Sequence, residues 1–430
     1  MPEVKPKRAY MSEVLIPLED AQRMVLDNVR ETPVVQVPVW QAAGLPLVED
    51  AMADIDIVPF ANSSMDGYAV VAADLEMASP DSPVTLNVIG HEAAGAVFEG
   101  TVGTGQTVRI MTGAPLPAGA DAVVKYEVVD VLEGDGNEGS RVSFAAPVAV
   151  GENVREAGQE AHAGDVVMRA GTVVAPAGAG LLASAGHATV RVHRAPRVAV
   201  ISLGSELVGP GEVPRRGQIR DSNSSAIMAE AADAGADPVF YGIAADDEAQ
   251  IGELVHRAFA ECDFVVTSGG ASAGDYDYVT AWVKRAGTVL FDRISMRPGK
   301  AITFGMVDGK PFLGLSGNPA AAYVGFEMLA RPAIRKMRGF ADAKRPEQRA
   351  VLTQPVTKRQ ERRFYDRARV VRDVATGELT VTPARSQNSA LLGTMQDANC
   401  LLRIMEGPHD LEPGHVVDVV RVDLPEGSVL

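Results

Sequence analysis

The sequence predicts a multidomain α/β plus β protein. A central doubly wound α/β domain is joined to a mixed N-terminal domain, a β-rich domain inserted into it, and a C-terminal β-barrel-like domain. Three observations predict this. At 430 residues the chain exceeds one ordinary core, and about three domains are expected. Between residues 195 and 338, short apolar runs alternate with stretches of helical spacing, the signature of a parallel sheet. The stretches at about 34–151 and 350–425 read instead as short strands broken by Gly and Pro.

Residues 17–30, PLEDAQRMVLDNVR, have helical spacing, acids at the start and Arg30 at the end. From Val34 to Gly151 the runs PVTLNVIG and ADAVVKYEVVDVL read as strands of a β-rich module. The expected boundaries are 1–50 with 150–194 for the discontinuous N-terminal domain and 51–149 for the insertion. The α/β domain then takes 195–338 and the C-terminal β domain 348–430. In the α/β domain, RVAVIS, DPVFYGIA, DFVVTS and KPFLGLS are the buried-strand candidates. SSAIMAEAADAGA, EAQIGELVHRAFAEC and AAAYVGFEMLARPAIRKM supply the helices between and after them.

A formal charge of −16 argues against nucleic acid as a partner, because phosphate backbones need a basic face. The two cysteines, Cys262 and Cys400, form no CxxC pair, which excludes a disulfide framework and a cysteine zinc site and suits a reducing cytoplasm. The N-terminus has no apolar segment after its basic residues, so no signal peptide is expected. Ala170–Val190 has no charged residue, but its glycines, Pro176 and few long aliphatics fit a strand, a Pro-started helix and a Gly186 stop better than a membrane span.

In an open parallel sheet, ligands bind at the carboxyl ends of the strands. Three strand ends carry glycine-rich loops: SLGSEL (202–207), TSGGASAG (267–274) with Ser268, Gly269 and Gly270, and LSGNPAA (315–321) with Ser316 and Gly317. In the last, Asn318 is expected to cap the helix and Pro319 to occupy its first turn, leaving backbone N–H groups for an anion. Any one loop reads better as a tight turn; three in one sheet argue for one crevice. Arg293, Arg297 and Lys300 supply cations around a bent Pro298-Gly299. Glu206, Asp246, Asp247, Asp275 and Asp277 follow strand ends, oxygen ligands of the kind Mg2+ needs when it bridges to phosphate, although Asp at a helix start is more often a cap.

GASAG has the spacing of a serine-hydrolase nucleophile loop with Ser272 as nucleophile. Its downstream histidines, His409 and His415, fall in the C-terminal domain, and an acidic pair follows the loop. The Asp66-Gly67 turn of NSSMDGYAV and Thr112 in IMTGAPLPAGADAV read locally as turns.

The motifs NSSMDGYAV, IMTGAPLPAGADAVV, GENVREAGQEAHAGDVV, ISLGSEL, GQIRDSNS, SGGASAGDYDYV, RPGKAITFG and SGNPAA occur in order over almost the whole chain. In these the chain resembles the molybdopterin molybdenumtransferases, the molybdenum insertases that include the E domain of gephyrin. The resemblance implies an elongated homodimer with sites between subunits, a molybdopterin-binding α/β domain, and dimerisation through the mixed domain. It implies insertion of molybdenum from molybdate into adenylylated molybdopterin with Mg2+, releasing AMP, and a molybdopterin adenylyltransferase as pathway partner.

By position, the resemblance implies catalytic and metal roles for Glu206, Asp246 and Asp277, with Lys300 also catalytic. Arg293 and Arg297 would bind substrate, Ser272 would donate a hydrogen bond, and Arg367 and Ser389 would meet molybdate. Asp66 and Thr112 would face the partner's α/β site, and Glu160 falls on an acidic position. Departures are SLGSEL for a threonine-glycine-aspartate start, Arg293 and Arg297 for lysines, Ser316 for proline and Ala321 for serine. The alternatives are a non-catalytic molybdopterin-binding or scaffold paralogue and, remotely, a serine hydrolase.

Overall fold

The computed structural model describes residues 15–245, 247–270 and 278–428. The described residues up to Val35 and from Val192 onward form one compact unit, and Gln36–Arg191 form a second.

The first unit is built on a six-stranded sheet: β1 (Arg197–Leu203), β2 (Asp237–Ala244), β3 (Phe264–Ser268), β4 (Thr288–Arg293), β5 (Ala301–Val307) and β6 (Lys310–Leu315). Their order is β2-β1-β3-β6-β5-β4. The four runs marked as buried strands in the sequence are β1, β2, β3 and β6, and these pair parallel, but β2 lies at the sheet edge and is only part-buried. β1 and β3 are buried almost throughout, so they read as continuous apolar runs. A purely parallel reading misses β4 and β5. They add an antiparallel edge through the Asp308-Gly309 turn, where φ is 52° and 75°. Two successive positive φ values are what a tight two-residue hairpin requires.

Helix α1 (Leu18–Asn28) buries Leu18, Ala21 and Val25 in the same core as Val198, Phe264 and Ile334. Helices α2 (Asn223–Asp233), α3 (Glu248–Glu261) and α4 (Tyr278–Ala286) follow the strand ends. Helix α5 (Pro319–Gly325) passes through one π turn, Phe326–Ala330, into α6 (Arg331–Met337). Pro332 accounts for the wider turn: it has no N–H to return to Met328. The Gln22 side chain donates to that carbonyl at 2.9 Å.

Strands β7 (Glu347–Leu352), β8 (Arg363–Arg372), β9 (Leu379–Pro383), β10 (Cys400–Ile404) and β11 (Val416–Arg421) close into a five-stranded barrel in the order β8-β9-β7-β11-β10-β8. Its core contains Leu352, Phe364, Val370 and Val419.

The second unit carries a six-stranded sheet between Gly67 and Phe144, as the β-rich runs predict. Its helix Pro176–Ser184 starts at Pro176, and Gly186 follows with φ +91°. No helix among the described residues is long and apolar enough to cross a membrane.

Candidate functional site

The carboxyl ends of β1, β3 and β6 converge on a cleft of about 280 Å³ lined by Gly204, Glu206, Ser268, Gly269, Gly270, Gly317 and Pro319. Backbone packs directly on backbone there. A Cβ on Gly269, where φ is +89°, would lie 2.1 Å from the Leu203 carbonyl oxygen. Glycine is therefore required at Gly269, and its amide donates to the Leu315 carbonyl at 3.1 Å. The Glu206 carboxylate folds over Gly204, within 2.6 Å of where a Cβ would stand.

Two residues that sequence reasoning left without a role complete this cleft. Asn223, at the start of α2, donates from its side-chain amide to Ser268 Oγ at 2.7 Å and to the Gly317 carbonyl at 3.0 Å. Asp221 is buried; one carboxylate oxygen accepts from the Ser224 amide at 3.1 Å, and the other has no hydrogen-bond partner. Ser202 Oγ, near the end of β1 and in the cleft lining, is likewise buried and unpartnered. Buried polar atoms are nearly always paired, so two orphans in the lining of one strand-end cleft mark it as a place where a ligand completes the bonding. The signal in the sequence was the DSNS motif, which carries both Asp221 and Asn223.

A second cavity, of about 740 Å³, shares the Ser316–Pro319 loop as a wall. Its lining includes Arg297, Lys300, Arg362, Ser316, Asn318 and Ser389. Arg297 stacks over the Phe364 ring at 4.7 Å. Arg362 is fixed by bonds to the Met296 carbonyl at 3.2 Å and to Gln360 at 3.0 Å. Burial and the neighbouring Arg297 charge both push its guanidinium toward a lower pKa. Cations that repel one another in a concave, hydroxyl-bearing pocket are stabilised by an anion.

Several expectations need correction. Arg367 does not line this cavity: it is fully buried, and its guanidinium donates to Thr394 Oγ1 at 2.9 Å and to the Ser386 and Asn388 carbonyls at 3.0 Å each. It therefore braces the loop that presents Ser389, and Arg362 is the barrel-side arginine in the cavity. Arg293, at the end of β4, is not among the lining residues of either cavity. Asn318 occupies the N-cap position and Pro319 the first turn, but the Asn318 side chain makes no capping bond. Nor does the helix offer free amides. The Ala320 amide goes to the Ser389 carbonyl at 2.9 Å, and those of Ala321 and Ala322 go to the Asn318 carbonyl.

Asp66 and Thr112, in the second unit, do form a pair. The Thr112 amide and hydroxyl donate to one Asp66 oxygen at 2.7 and 2.8 Å, and these two bonds hold the exposed carboxyl below its ordinary range. Asp246, Ser272 and Asp277 lie outside the described residues. Among the described residues no three acids, histidines or cysteines gather closely enough to hold a metal alone.

An open α/β sheet with glycine loops at its strand ends, beside an arginine–lysine cavity, defines a protein that handles an anionic small molecule. Comparison with known proteins makes this specific. Residues 16–186 match the family model of the MoeA N-terminal region (domain I and II), residues 199–336 that of the probable molybdopterin binding domain, and residues 349–422 that of the MoeA C-terminal region (domain IV). The chain is 35% identical over 409 residues to the molybdopterin molybdenumtransferase of Staphylococcus aureus strain COL, covering 95% of this chain and 96% of that one. It is 36% identical over 414 residues to that of Bacillus subtilis strain 168, covering 96% and 95%. Two structures of the molybdopterin biosynthesis MoeA protein from Pyrococcus horikoshii superpose with TM-scores of 0.81 and 0.78. Their identities are 31% and 28%; each alignment covers 95% of this chain, with 99% and 100% of the respective Pyrococcus chains. The chain belongs to the molybdopterin molybdenumtransferase family, transferases of molybdenum cofactor biosynthesis.

Proposed function

We propose that this enzyme inserts molybdenum from molybdate into adenylylated molybdopterin in the cytoplasm and releases AMP. The observation that carries the reading is the shared wall. The Ser316–Pro319 loop separates a glycine-lined cleft from a cation-lined cavity, an arrangement that supports a phosphate-bearing substrate and an oxyanion bound side by side.

In this reading the glycines at 204, 269, 270 and 317 let phosphate approach backbone closely, and Asn223 holds two of the loops in register. Arg297, Lys300 and Arg362 bind molybdate electrostatically, with Ser316 and Ser389 as hydroxyl donors. The orphaned oxygens of Ser202 and Asp221 await donors from the substrate or its water shell. Mg2+ characteristically takes one or two carboxylates plus phosphate oxygens and water, and Glu206 in the cleft supplies one such hard ligand. Asp246 and Asp277 are the further candidates by resemblance. The ion would neutralise phosphate charge as water attacks phosphorus and the P–O–P bond to the adenylyl group breaks, releasing AMP. No protein nucleophile is needed, because positioning and fixed charge lower the barrier.

The same reading makes the enzyme a homodimer in which the Asp66–Thr112 loop of one protomer completes the site of its partner. A molybdopterin adenylyltransferase supplies the substrate. The test incubates purified protein with adenylylated molybdopterin, Mg2+ and molybdate, and follows AMP and cofactor. Molybdate-dependent AMP release is expected; tight binding without it would leave a scaffold.

A further inference from the structure

Away from both cavities, a third of about 650 Å³ opens in the first unit between α2, the π turn, and the turn Leu392–Gln396. Glu230 of α2 is part of its wall. That residue is 5% exposed, yet neither carboxyl oxygen has a hydrogen-bond partner.

The charges nearby are already matched without it. Arg331 reaches Asp233 at 2.6 Å and Glu426 at 2.5 Å. Arg345 reaches Glu327 at 3.1 Å and Asp233 at 3.3 Å. Burial first, and then the Glu327 charge, push the Glu230 carboxyl well above the ordinary range. Arg331 and Arg345 act on it only at a distance. A buried carboxyl with no direct partner, in a cavity whose wall sets Asp233, Glu327 and Asp423 against the single Arg345, is matched by a positive ligand. Three-ligand metal clusters are absent among the described residues, which points to an organic cation. Ala226, Leu392, Met395 and Val422 offer an apolar wall for its body.

The position of this cavity gives it a consequence. Residues 387–389 line the cation-lined cavity, while Leu392, Gly393, Met395 and Gln396 line this one. Arg367 ties both ends of the segment through Ser386, Asn388 and Thr394. We propose that the Glu230 cavity is a second ligand site, for a small amine or amidine with a short apolar body, whose occupancy stiffens the segment that presents Ser389.

Calorimetry on the full chain with benzamidine, and with neutral benzamide as control, tests this without any pterin substrate, so its failure leaves the insertion reading untouched. Saturable binding of one benzamidine per chain is expected. Benzamide and the Glu230→Gln variant should each show about tenfold weaker binding or less, the worth of one charge-assisted bond. Ala226→Met, which places a longer apolar side chain in the wall and leaves Glu230 in place, should also weaken it. Hydrogen exchange over residues 386–396 should slow when benzamidine binds. Absence of saturable binding, equal binding of benzamide, or undiminished binding by Glu230→Gln would overturn the site. Unchanged exchange over 386–396 would overturn the coupling.

Discussion

The side-chain amide of Asn223 donates to Ser268 Oγ at 2.7 Å, and its second donor reaches the Gly317 carbonyl at 3.0 Å. One residue at a helix start thus fixes the spacing of two loops that wall the cleft. Asn223→Ala should lower kcat/KM by about 10- to 100-fold while costing only about 1 kcal/mol of stability, a typical net hydrogen-bond contribution. Asn223→Asp should be worse, because a carboxylate facing the Gly317 carbonyl repels it. Steady-state AMP release and chemical denaturation of each variant check both numbers.

Arg362 and Arg367 should separate cleanly. Arg367→Met empties a fully buried guanidinium position and leaves the Thr394 hydroxyl and the Ser386 and Asn388 carbonyls without that donor, and a loss of about 3 kcal/mol is expected. Arg362→Met removes a cavity cation fixed by a carbonyl and an exposed amide. The expected result is little change in stability and about a tenfold or greater rise in the molybdate concentration for half-maximal rate. Denaturation midpoints and molybdate titrations of the two variants make the comparison.

The contrast between those arginines shows what the sequence could and could not convey. β-branched runs ending in glycine announce strand ends, so the cleft was legible from SLGSEL, TSGG and LSGN. The segment ERRFYDRARV holds several arginines around a strand of a closed barrel. Alternation along a strand does not say which of them meets solvent when the strand is buried on both faces. The failed cap at Asn318 has the same origin: the Ala320 amide is taken by Ser389, far along the chain. Asn223 and Asp221 lay in a quoted motif, but their chemistry depends on which loops fold beside them.

Two glycines in the cleft should respond oppositely to alanine. At Gly269 the added Cβ meets the Leu203 carbonyl at 2.1 Å with φ at +89°, and backbone must move. Gly269→Ala should cost about 3 kcal/mol or more, through strain and a broken loop contact. At Gly317 the nearest atom would be Gly269 Cα at 3.6 Å, an ordinary contact. Gly317→Ala should fold with a wild-type melting temperature and show its effect in KM for the pterin substrate, since the methyl narrows the cleft. Equal stability of the two variants would contradict the packing described.

Asp366 places a titration beside the oxyanion cavity. Burial pushes its carboxyl up to about 6, against the opposing pull of Arg297 and Arg367. A carboxyl whose folded pKa is raised favours the folded state fully below its unfolded value near 3.8, and that contribution is lost as pH rises through about 6. The ceiling on this loss is about 3 kcal/mol. Asp366→Asn, which cannot ionise, should therefore be more stable than wild type at pH 8, with the difference closing as pH falls toward 4. Ionised Asp366 also competes with an oxyanion for the Arg297 charge, so molybdate affinity in the wild type should weaken as pH rises through about 6. The asparagine variant should hold its affinity over that range. Melting curves and molybdate titrations between pH 4 and 8 would test both effects, and superimposable profiles for the two proteins would remove Asp366 from the account.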